Sequence, residues 1–514
     1  MPGDLLEDLV RPEAYPPPRP ARVSVIATHI SWVFITDREV WKLKRPVDYG
    51  FVDYTTVERR RHFCEEEIRL NRRLAPDVYI GVEPVRRDDG RYSFVGPGRV
   101  VDHAVRMRRV SDEASAEALL RRGALTHERL ARLASRLAAF YAGAATAPAF
   151  GSLDIIRANV EENFAQVQPF VGRFLTAETL QVVRAWQLER LEQHAADFEA
   201  RRARGHIREG HGDLRLEHVY FEAADPIVID AIEFNDRFRN ADVAADVAFL
   251  AMELDARARP DLAASFLAAF ATESDDHDLY AVVDLYLSYR AWVRAKVACF
   301  LAADASTDPD KARRKSQEAQ RLFGLARAYA EAPTTSPPLI AVGGLIGAGK
   351  STLADALGRA LGVPVIASDR TRKALAGVPA TQPAPAAAYA PAFTARTFAE
   401  LFRRADVVLG SRRGVILDAT FRERDLRLRA RQLARRHQRP FRFVEAICDD
   451  STLRHRLRAR AAAVTVSDAT EDLLDRIRRE FEPITELPDD EHVAVLTTQP
   501  VATQVQAVQA SLAR

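Results

Sequence analysis

The chain has 514 residues, 47% of them hydrophobic, and its 74 Lys and Arg nearly balance 72 Asp and Glu, which leaves a formal net charge of +2. This length predicts two to four domains, and the charge balance neither favours nor excludes a polyanionic partner. No apolar run approaches the about 20 residues of a membrane span, MPGDLLEDLVRPEAYPPPRP does not resemble a signal peptide, and the three cysteines lack a CxxC spacing. We therefore expect a cytoplasmic protein without a membrane segment, disulfide framework or zinc site.

Three apolar runs near the N terminus predict β-strands: VSVIATH, WVFITD and VWKLKRPV. Lys42 and Lys44 lie on the same face of the third strand, because side chains alternate along a strand. Either lysine can contact the phosphates of a nucleotide; alternatively, both lie on an exposed strand edge. The turn ATHIS between the first two strands has no glycine, so any phosphate contact there requires Thr28, Ser31 or the backbone.

An ordered set of polar residues follows further along the chain. Residues 207–221 read IREGHGDLRLEHVYF, and PIVIDAIEFND and ADVAADVAFLAMELD come after them. The loop carboxylate of Asp213, the metal-ligand candidate His218 and the strand-ending carboxylate of Asp230 match the catalytic and metal loop of a protein-kinase-like phosphotransferase. HGD alone would be a weak signal, and the ordered set is much more specific.

This region resembles the aminoglycoside phosphotransferase family, whose loop reads HGD, then Asn, then a strand that ends in ID. The resemblance implies that residues 1–330 form a bilobal, protein-kinase-like domain. In it, Asp213 would be the catalytic base for an acceptor hydroxyl, and Asp230 would coordinate Mg²⁺ on the ATP phosphates. Lys42 would contact those phosphates, with Glu67 in the helix CEEEIRLNRRLA as its ion-pair partner.

The same resemblance gives Asp246, in DVAFL, a bracing role for the loop. The chain departs from the family at His218, where the family has Asn. Imidazole is a poorer partner for Mg²⁺ than an amide oxygen. Three interpretations stay open: His218 binds a different metal, acts through water, or marks a site with little phosphotransfer.

The stretch EAPTTSPP, residues 331–338, predicts a linker. The runs LIAVGG, VPVIAS, GVILDAT, FRFVEAIC and HVAVLTT then alternate with helical patterns. This alternation predicts that residues 339–514 form a parallel sheet with helices on both faces, with ligands beyond the carboxyl ends of the strands. The chain therefore combines α+β and α/β classes. We expect GVPATQPAPAAAYAPAF to be a mobile insertion in the second domain.

The sequence LIAVGGLIGAGKST, residues 339–352, is an apolar strand that runs into GxxxxGK[ST]. Its glycines let the backbone turn so that N–H groups face phosphate oxygens. Lys350 would reach the β- and γ-phosphates, and the Ser351 hydroxyl would ligate Mg²⁺. The alternative is a flexible surface turn. The predicted nucleotide-binding residues are Gly344, Gly347, Ala348, Gly349, Lys350, Ser351 and Thr352.

Two carboxylates follow later strands of this domain. Asp418 closes GVILD, as a Walker B carboxylate does when it positions Mg²⁺. Asp369 lies in SDRTRK beside Arg370 and Arg372, which favours a base for the acceptor hydroxyl with an arginine that holds the acceptor. The alternative for each carboxylate is a helix N-cap.

The C-terminal segment resembles the P-loop small-molecule and polynucleotide kinases, which include gluconate kinases, polynucleotide 5′-hydroxyl kinases and zeta toxins. The resemblance implies an ATP-binding domain of the AAA type. The matching residues are GGLIGAGKST, SDRTRK, LDATF and LRHRLRAR. The resemblance implies that Arg456 and Arg460 are lid arginines that neutralise charge on the transferring phosphoryl group. The other arginines of residues 422–460 form salt-bridged helix faces or contact phosphates.

These patterns predict an ATP-dependent kinase that uses Mg²⁺ and phosphorylates a hydroxyl group of a small molecule, with two nucleotide sites. One alternative is a 5′-hydroxyl nucleic-acid kinase, but a nucleic-acid partner is not favoured because the chain shows no interleaved aromatic platform. Another is an N-terminal pseudokinase that senses a ligand and gates the P-loop domain. The acceptor and the oligomeric state stay open.

Overall fold

A computed structural model describes residues 2–50, 52–222, 224–304, 307–331, 336–461 and 470–512, without the side chains of residues 2, 3, 460 and 461. Its β-strands are β1 Ser24–Ala27, β2 Ser31–Ile35, β3 Glu39–Lys44, β4 Tyr79–Asp88, β5 Arg91–Ser93, β6 Arg99–Arg108, β7 Ile207–Glu209, β8 Val219–Tyr220, β9 Ile227–Val228, β10 Asn240–Asp242, β11 Leu339–Gly343, β12 Val365–Ala367, β13 Val415–Asp418, β14 Phe441–Ile447 and β15 His492–Leu496.

The α-helices are α1 Pro2–Leu9, α2 Val57–Asn71, α3 Ala116–Arg121, α4 His127–Gly143, α5 Leu153–Val167, α6 Ala177–Gln193, α7 Ala195–Ala203, α8 Asp236–Arg239, α9 Val243–Ala256, α10 Pro260–Ser274, α11 Val283–Ala303, α12 Pro309–Ala330, α13 Lys350–Leu361, α14 Ser368–Leu375, α15 Pro391–Gly410, α16 Arg424–Arg436, α17 Asp450–Ala461, α18 Leu474–Glu480 and α19 Val501–Leu512. The chain divides into two compact units. Unit 1 is Met1–Ile156 with Phe198–Glu253, and unit 2 is Arg157–Asp197 with Leu254–Arg514.

Unit 1 contains an antiparallel sheet in the order β1-β2-β3-β6-β4-β5. On one face, Trp41 and Leu43 of β3 pack into an apolar core with Tyr15 and Phe34. Because side chains alternate along the strand, Lys42 and Lys44 face the opposite side, where α2 packs. The hydrogen-bonded β7–β10 and β8–β9 pairs flank the loop that carries Asp213.

Unit 2 contains a parallel sheet in the order β12-β13-β11-β14-β15. Every residue of β11 is buried. Ile340 and Val342 pack on α13 and α19, and the alternate face carries α15 and α16. An all-parallel sheet between helices, with β11 and β13 buried along their whole length, explains the continuous apolar runs in the sequence. The predicted fold class is confirmed.

The helices α6, α11 and α12 pack together within unit 2, where Trp292 lies between Phe164 and Phe323 with ring centroids 4.5 and 4.7 Å apart. No described helix is long and apolar enough to cross a lipid bilayer. Residues 332–335 of the predicted linker lie outside the described residues, and the domain limits 1–330 and 339–514 stay a prediction.

Arginines of α16 and α17 bind carboxylates from distant segments. Arg427 and Glu486 form a fully buried pair at 2.5 Å, and the guanidinium also donates to the carbonyl oxygens of Phe421 and Pro483. Other such pairs are Arg431 with Glu491, Arg436 with Asp406, Arg454 with Asp475, and Arg458 with Glu471. These contacts favour the interpretation of salt-bridged helix faces for this arginine-rich stretch.

We expect Arg427→Ala to lower the free energy of unfolding by about 3–5 kcal/mol, because the carboxylate of Glu486 would stay buried without its partner. Chemical denaturation followed by circular dichroism measures this change. The exposed Arg435 offers a matched control, since Arg435→Ala should change stability by no more than about 0.5 kcal/mol. Equal effects of the two substitutions would contradict the structural role of Arg427.

Candidate active sites

In unit 1, Lys42 and Lys44 share the carboxylate of Glu67. The Nζ atom of Lys42 lies 2.9 Å from Oε1, and Nζ of Lys44 lies 2.8 Å from Oε2. Lys42 also bonds Oδ1 of Asp230 at 2.6 Å, and its side chain is 14% exposed. Lys44 is fully buried and pairs with Glu233 as well. Lys42 is therefore the lysine that a nucleotide can reach, whereas Lys44 fixes carboxylates in the interior.

Neighbouring charges outweigh burial in setting the pKa values of Lys42 and Asp230. Burial opposes the positive charge on Lys42, but Asp230 and Glu67 outweigh it and hold the pKa of the ammonium well above its ordinary value. Burial also favours protonation of Asp230, yet Lys42 and His218 hold the pKa of that carboxyl well below its usual range. Both groups of the pair therefore stay charged near neutral pH.

Side chains of α2 and β4 hold the backbone around Asp230 in place. Asp230 has a φ of 66°, a left-handed conformation that few non-glycine residues adopt and that is often found at functional sites. Its N–H donates to the hydroxyl of Tyr79 at 3.1 Å, and the N–H of Ala231 donates to Oδ1 of Asn71 at 2.8 Å. Sequence reasoning missed Tyr79 and Asn71, because their partners are far away in the chain.

Asp246 braces the loop that carries Asp213. Its carboxylate accepts the N–H groups of His211 at 2.7 Å and Gly212 at 2.9 Å, and the hydroxyl of Tyr141 at 3.0 Å. Gly212 has a φ of 84°, which favours glycine at this turn. The contacts agree with the bracing role that the resemblance implied for Asp246.

His218 lies between the two candidate carboxylates of unit 1. Its Nδ1 atom is 2.8 Å from the carbonyl oxygen of Asp213 and 3.6 Å from Oδ2 of the same residue. Its Nε2 atom is 3.6 Å from Oδ2 of Asp230. The structure therefore brings together the three residues that the sequence placed in one phosphotransfer loop.

Arg215 adds a cation that sequence reasoning did not single out. Its Nη1 atom lies 3.8 Å from Oδ2 of Asp213 and 2.5 Å from Oε1 of Glu217. A guanidinium beside the candidate base can bind phosphoryl oxygens as a hydrogen-bond donor. Its position two residues after the HGD motif was the available signal.

The turn between β1 and β2 closes on itself. The Thr28 hydroxyl donates to the carbonyl oxygen of Ser31 at 3.0 Å and accepts the N–H of Ser31 at 2.9 Å. Ser31 is fully buried, whereas Thr28 is exposed. Of the two side chains considered for phosphate contact at this turn, only Thr28 is accessible.

In unit 2, the loop between β11 and α13 has the shape of a phosphate cradle. Gly344, Gly347 and Gly349 have φ values of 133°, 79° and 87°. A Cβ atom on Gly344 would lie 2.5 Å from the carbonyl oxygen of Ala446, so no larger residue fits. The loop ends at the N-terminus of α13, which begins at Lys350 and favours negative charge.

Asp418 lies at the carboxyl end of β13, is 6% exposed and accepts a hydrogen bond from the Ser351 hydroxyl. Burial raises the pKa of Asp418 to about 6; Lys350 opposes this rise, and the nearby carboxylate of Asp369 adds to it. A serine hydroxyl beside a carboxylate is a donor set that fits Mg²⁺, directly or through water. These four predicted residues therefore lie around one point of the sheet edge.

Asp369 lies in the first turn of α14 and does not cap the helix, whose N-cap position is Ala367. Arg372 is buried and donates to Thr394 at 3.1 Å, and its guanidinium lies over the Tyr389 ring at 4.9 Å. It therefore binds the Ala- and Pro-rich insertion. Arg370, whose side chain is 33% exposed, is the arginine beside Asp369 that an acceptor can reach.

Arg456 contacts the phosphate-binding loop itself. Its guanidinium donates to Oγ1 and to the carbonyl oxygen of Thr497, at 3.0 and 2.8 Å. Thr497 in turn donates to the carbonyl oxygen of Ala348 at 2.7 Å, which joins the end of β15 to the loop. No motif in the sequence pointed to Thr497. The side chain of Arg460 lies outside the described residues.

A cavity of about 230 Å³ opens beside the same loop. Gly344 and Leu345 form one wall, and Arg478 and Phe481, on and just after α18, form another. Arg478 also pairs with Asp450 at the start of α17. The cavity places a second guanidinium near the phosphate-binding loop, in addition to Arg456.

Residues 339–484 match the sequence profile of the AAA domain family. The chain is 29% identical over 429 residues to uncharacterized proteins of Mycobacterium tuberculosis (strain ATCC 25618 / H37Rv) and Mycobacterium bovis, and the match covers 82% of this chain and 83% of each relative.

Solved structures match the two ends of the chain. A gluconokinase from Sinorhizobium meliloti 1021 is 26% identical, with a TM-score of 0.27, over 35% of this chain and 93% of its own. A GDP complex of an aminoglycoside 2′-phosphotransferase-IIIa variant is 14% identical, with a TM-score of 0.39, over 63% of this chain and 97% of its own. The family match agrees with the predicted P-loop domain, and the predicted class of ATP-dependent kinase is confirmed.

The two lysines of β3 should behave differently when substituted. We expect Lys42→Met to weaken nucleotide affinity in unit 1 at least tenfold and to cost less stability than Lys44→Met, because Glu67 keeps its bond to Lys44 and the Asp230 side chain is 44% exposed. We expect Lys44→Met to lower the free energy of unfolding by about 3–5 kcal/mol, because Glu67 and Glu233 lose a buried partner. Nucleotide titration and chemical denaturation of both variants check this, and the reverse pattern would contradict it.

The raised pKa of Asp418 predicts a pH-dependent metal site in unit 2. With a pKa of about 6, roughly a tenth of this carboxyl is ionised at pH 5, and a protonated carboxyl does not bind Mg²⁺. Mg²⁺-dependent binding of an ATP analogue should therefore weaken by up to about tenfold per pH unit below pH 6. Calorimetric titration from pH 5 to 8 measures this affinity, in a Lys42→Met background that weakens the site of unit 1. Asp418→Asn should remove the dependence, and an unchanged slope in that variant would contradict the assignment.

Proposed function

We propose that this protein is a bifunctional phosphotransferase, with one site in each unit that binds ATP with Mg²⁺ or a related cation and phosphorylates a hydroxyl group of a small molecule. The observation that carries the proposal is the cluster of Lys350, Ser351, Asp418 and Asp369 around the phosphate-binding loop. Each residue of this cluster has a type and position that phosphoryl transfer needs.

In unit 2, the backbone N–H groups of the loop and the ammonium of Lys350 bind the phosphates. Ser351 and Asp418 would hold Mg²⁺, which would offset the negative charge of the phosphates. Asp369 accepts the proton of the acceptor hydroxyl as its oxygen bonds to the γ-phosphorus. The bond from that phosphorus to the β,γ-bridging oxygen breaks, and ADP leaves. Arg456 keeps the loop in shape, and Arg478 faces the adjacent cavity.

In unit 1, Lys42 binds phosphates while Glu67 keeps its ammonium in place. Asp213 orients the acceptor hydroxyl and takes its proton, and Arg215 offsets charge on the transferring phosphoryl group. Asp230 would hold the cation. We treat aminoglycosides as one class among several acceptors, because the fold does not determine the acceptor.

A second candidate function is that unit 1 binds nucleotide or another ligand as a pseudokinase and regulates unit 2. The buried Ser31, the turn without glycine and the imidazole of His218 support it. A 5′-hydroxyl nucleic-acid kinase has less support, because arginines of α16 and α17 already pair with carboxylates.

Transfer of labelled phosphate from ATP to sugars, aminoglycosides, nucleosides and 5′-hydroxyl oligonucleotides tests the proposal. We expect Lys350→Ala and Asp213→Ala to remove different products, each by about 10²-fold or more. The exposed Asp112 provides a control, since Asp112→Ala should leave both products unchanged.

Loss of product in Lys350→Ala alone would favour the pseudokinase function for unit 1. Wild-type transfer in a variant that carries both Lys350→Ala and Asp213→Ala would overturn the proposal as a whole.

A further inference from the structure

The ring of His218 has a defined tautomer. Its side chain is 10% exposed, and Nδ1 lies 2.8 Å from the carbonyl oxygen of Asp213. A carbonyl oxygen only accepts hydrogen bonds, so Nδ1 carries the proton and donates it. In the neutral ring, Nε2 therefore presents a lone pair, and a lone pair on imidazole nitrogen is a metal ligand.

The lone pair of Nε2 faces carboxylate oxygens. Oδ2 of Asp230 lies 3.6 Å away and Oε1 of Glu217 lies 3.7 Å away, both beyond hydrogen-bond distance. Lys42 binds the other oxygen of Asp230, Oδ1, so Oδ2 is directed to the histidine. Among the described residues, Nε2 makes no hydrogen bond.

The space between Nε2 and Oδ2 fits one cation. A metal bonded at about 2.1 Å to each atom spans separations up to about 4.2 Å, which includes the observed 3.6 Å. The described residues contain no group of three or more His, Cys, Asp or Glu side chains arranged for a metal. Such a cation would therefore need further ligands from nucleotide phosphates and water, as is usual in kinases.

We propose that unit 1 binds its nucleotide with a divalent first-row transition-metal ion in preference to Mg²⁺, held by Nε2 of His218 and by Asp230. This inference rests on the proposed nucleotide site of unit 1. Mg²⁺ prefers oxygen ligands, whereas first-row transition metals bind imidazole nitrogen more readily. Unit 2 offers the oxygen donors of Ser351 and Asp418, so the two sites differ in their cation.

In the competing arrangement, His218 is protonated, and its positive charge attracts the carboxylates of Asp230 and Glu217. An imidazolium has no lone pair and cannot bind a cation. Its positive charge would instead repel a metal cation and weaken the binding of that cation at Asp230. The two arrangements predict opposite effects when the imidazole is replaced by an amide, which decides between them.

The test uses full-length protein with Lys350→Ala, which weakens the P-loop site. Electron paramagnetic resonance of free Mn²⁺ measures binding of Mn²⁺ with a non-hydrolysable ATP analogue, and competition by Mg²⁺ gives the ratio of the two affinities. We expect His218→Asn to reduce the preference for Mn²⁺ at least tenfold while the Mg²⁺ complex still binds. The exposed His62 supplies the matched control, and His62→Asn should leave the ratio unchanged.

A second readout does not depend on affinity ratios. Bound Mn²⁺ should broaden the nuclear magnetic resonance signals of the His218 ring selectively, and Asp230→Asn should remove this broadening. An equal preference in the parent protein and in His218→Asn would overturn the inference and leave nucleotide binding by unit 1 intact. Absence of any nucleotide complex in unit 1 would overturn both the inference and the proposed function of that unit.

Discussion

The carboxylate of Glu67 is the group on which the arrangement of unit 1 depends. It lies in the protein interior, where an unpaired charge is costly, and two lysines of one strand neutralise its two oxygen atoms. Because Lys44 is fully buried, the pair it makes fixes α2 against β3. Lys42 then has a defined position, and through it Asp230 is held beside the loop of Asp213. The geometry of this candidate site therefore follows from the way buried charge is neutralised.

The candidate metal-binding carboxylate of unit 2 has a different environment. Asp230 has a lysine ammonium at 2.6 Å, so it stays ionised, whereas Asp418 is buried and its pKa rises to about 6. The Lys350 ammonium donates to the carbonyl oxygen of Leu345. A cation and nucleotide phosphates at this loop would complete the charge balance, which makes binding in unit 2 sensitive to pH and binding in unit 1 much less so.

The sequence predicts the order of strands and helices well, because buried parallel strands are continuous apolar runs and glycines define the phosphate-binding loop. It places Lys42 and Lys44 on one face but does not distinguish them, since only burial separates their roles. Tyr79 and Thr497 act through partners far away in the chain, which local patterns do not reveal. For the same reason, the pairing of Arg427 with Glu486 was not predictable from its neighbours.

The central claim is that one chain contains two separate nucleotide sites. Equilibrium dialysis of a non-hydrolysable ATP analogue, with Mg²⁺ and Mn²⁺ both present, counts them directly. The account predicts that two analogue molecules bind per chain, and that Lys350→Ala and Lys42→Met each remove one. Binding of a single molecule by the wild-type chain, unaffected by Lys42→Met, would contradict it.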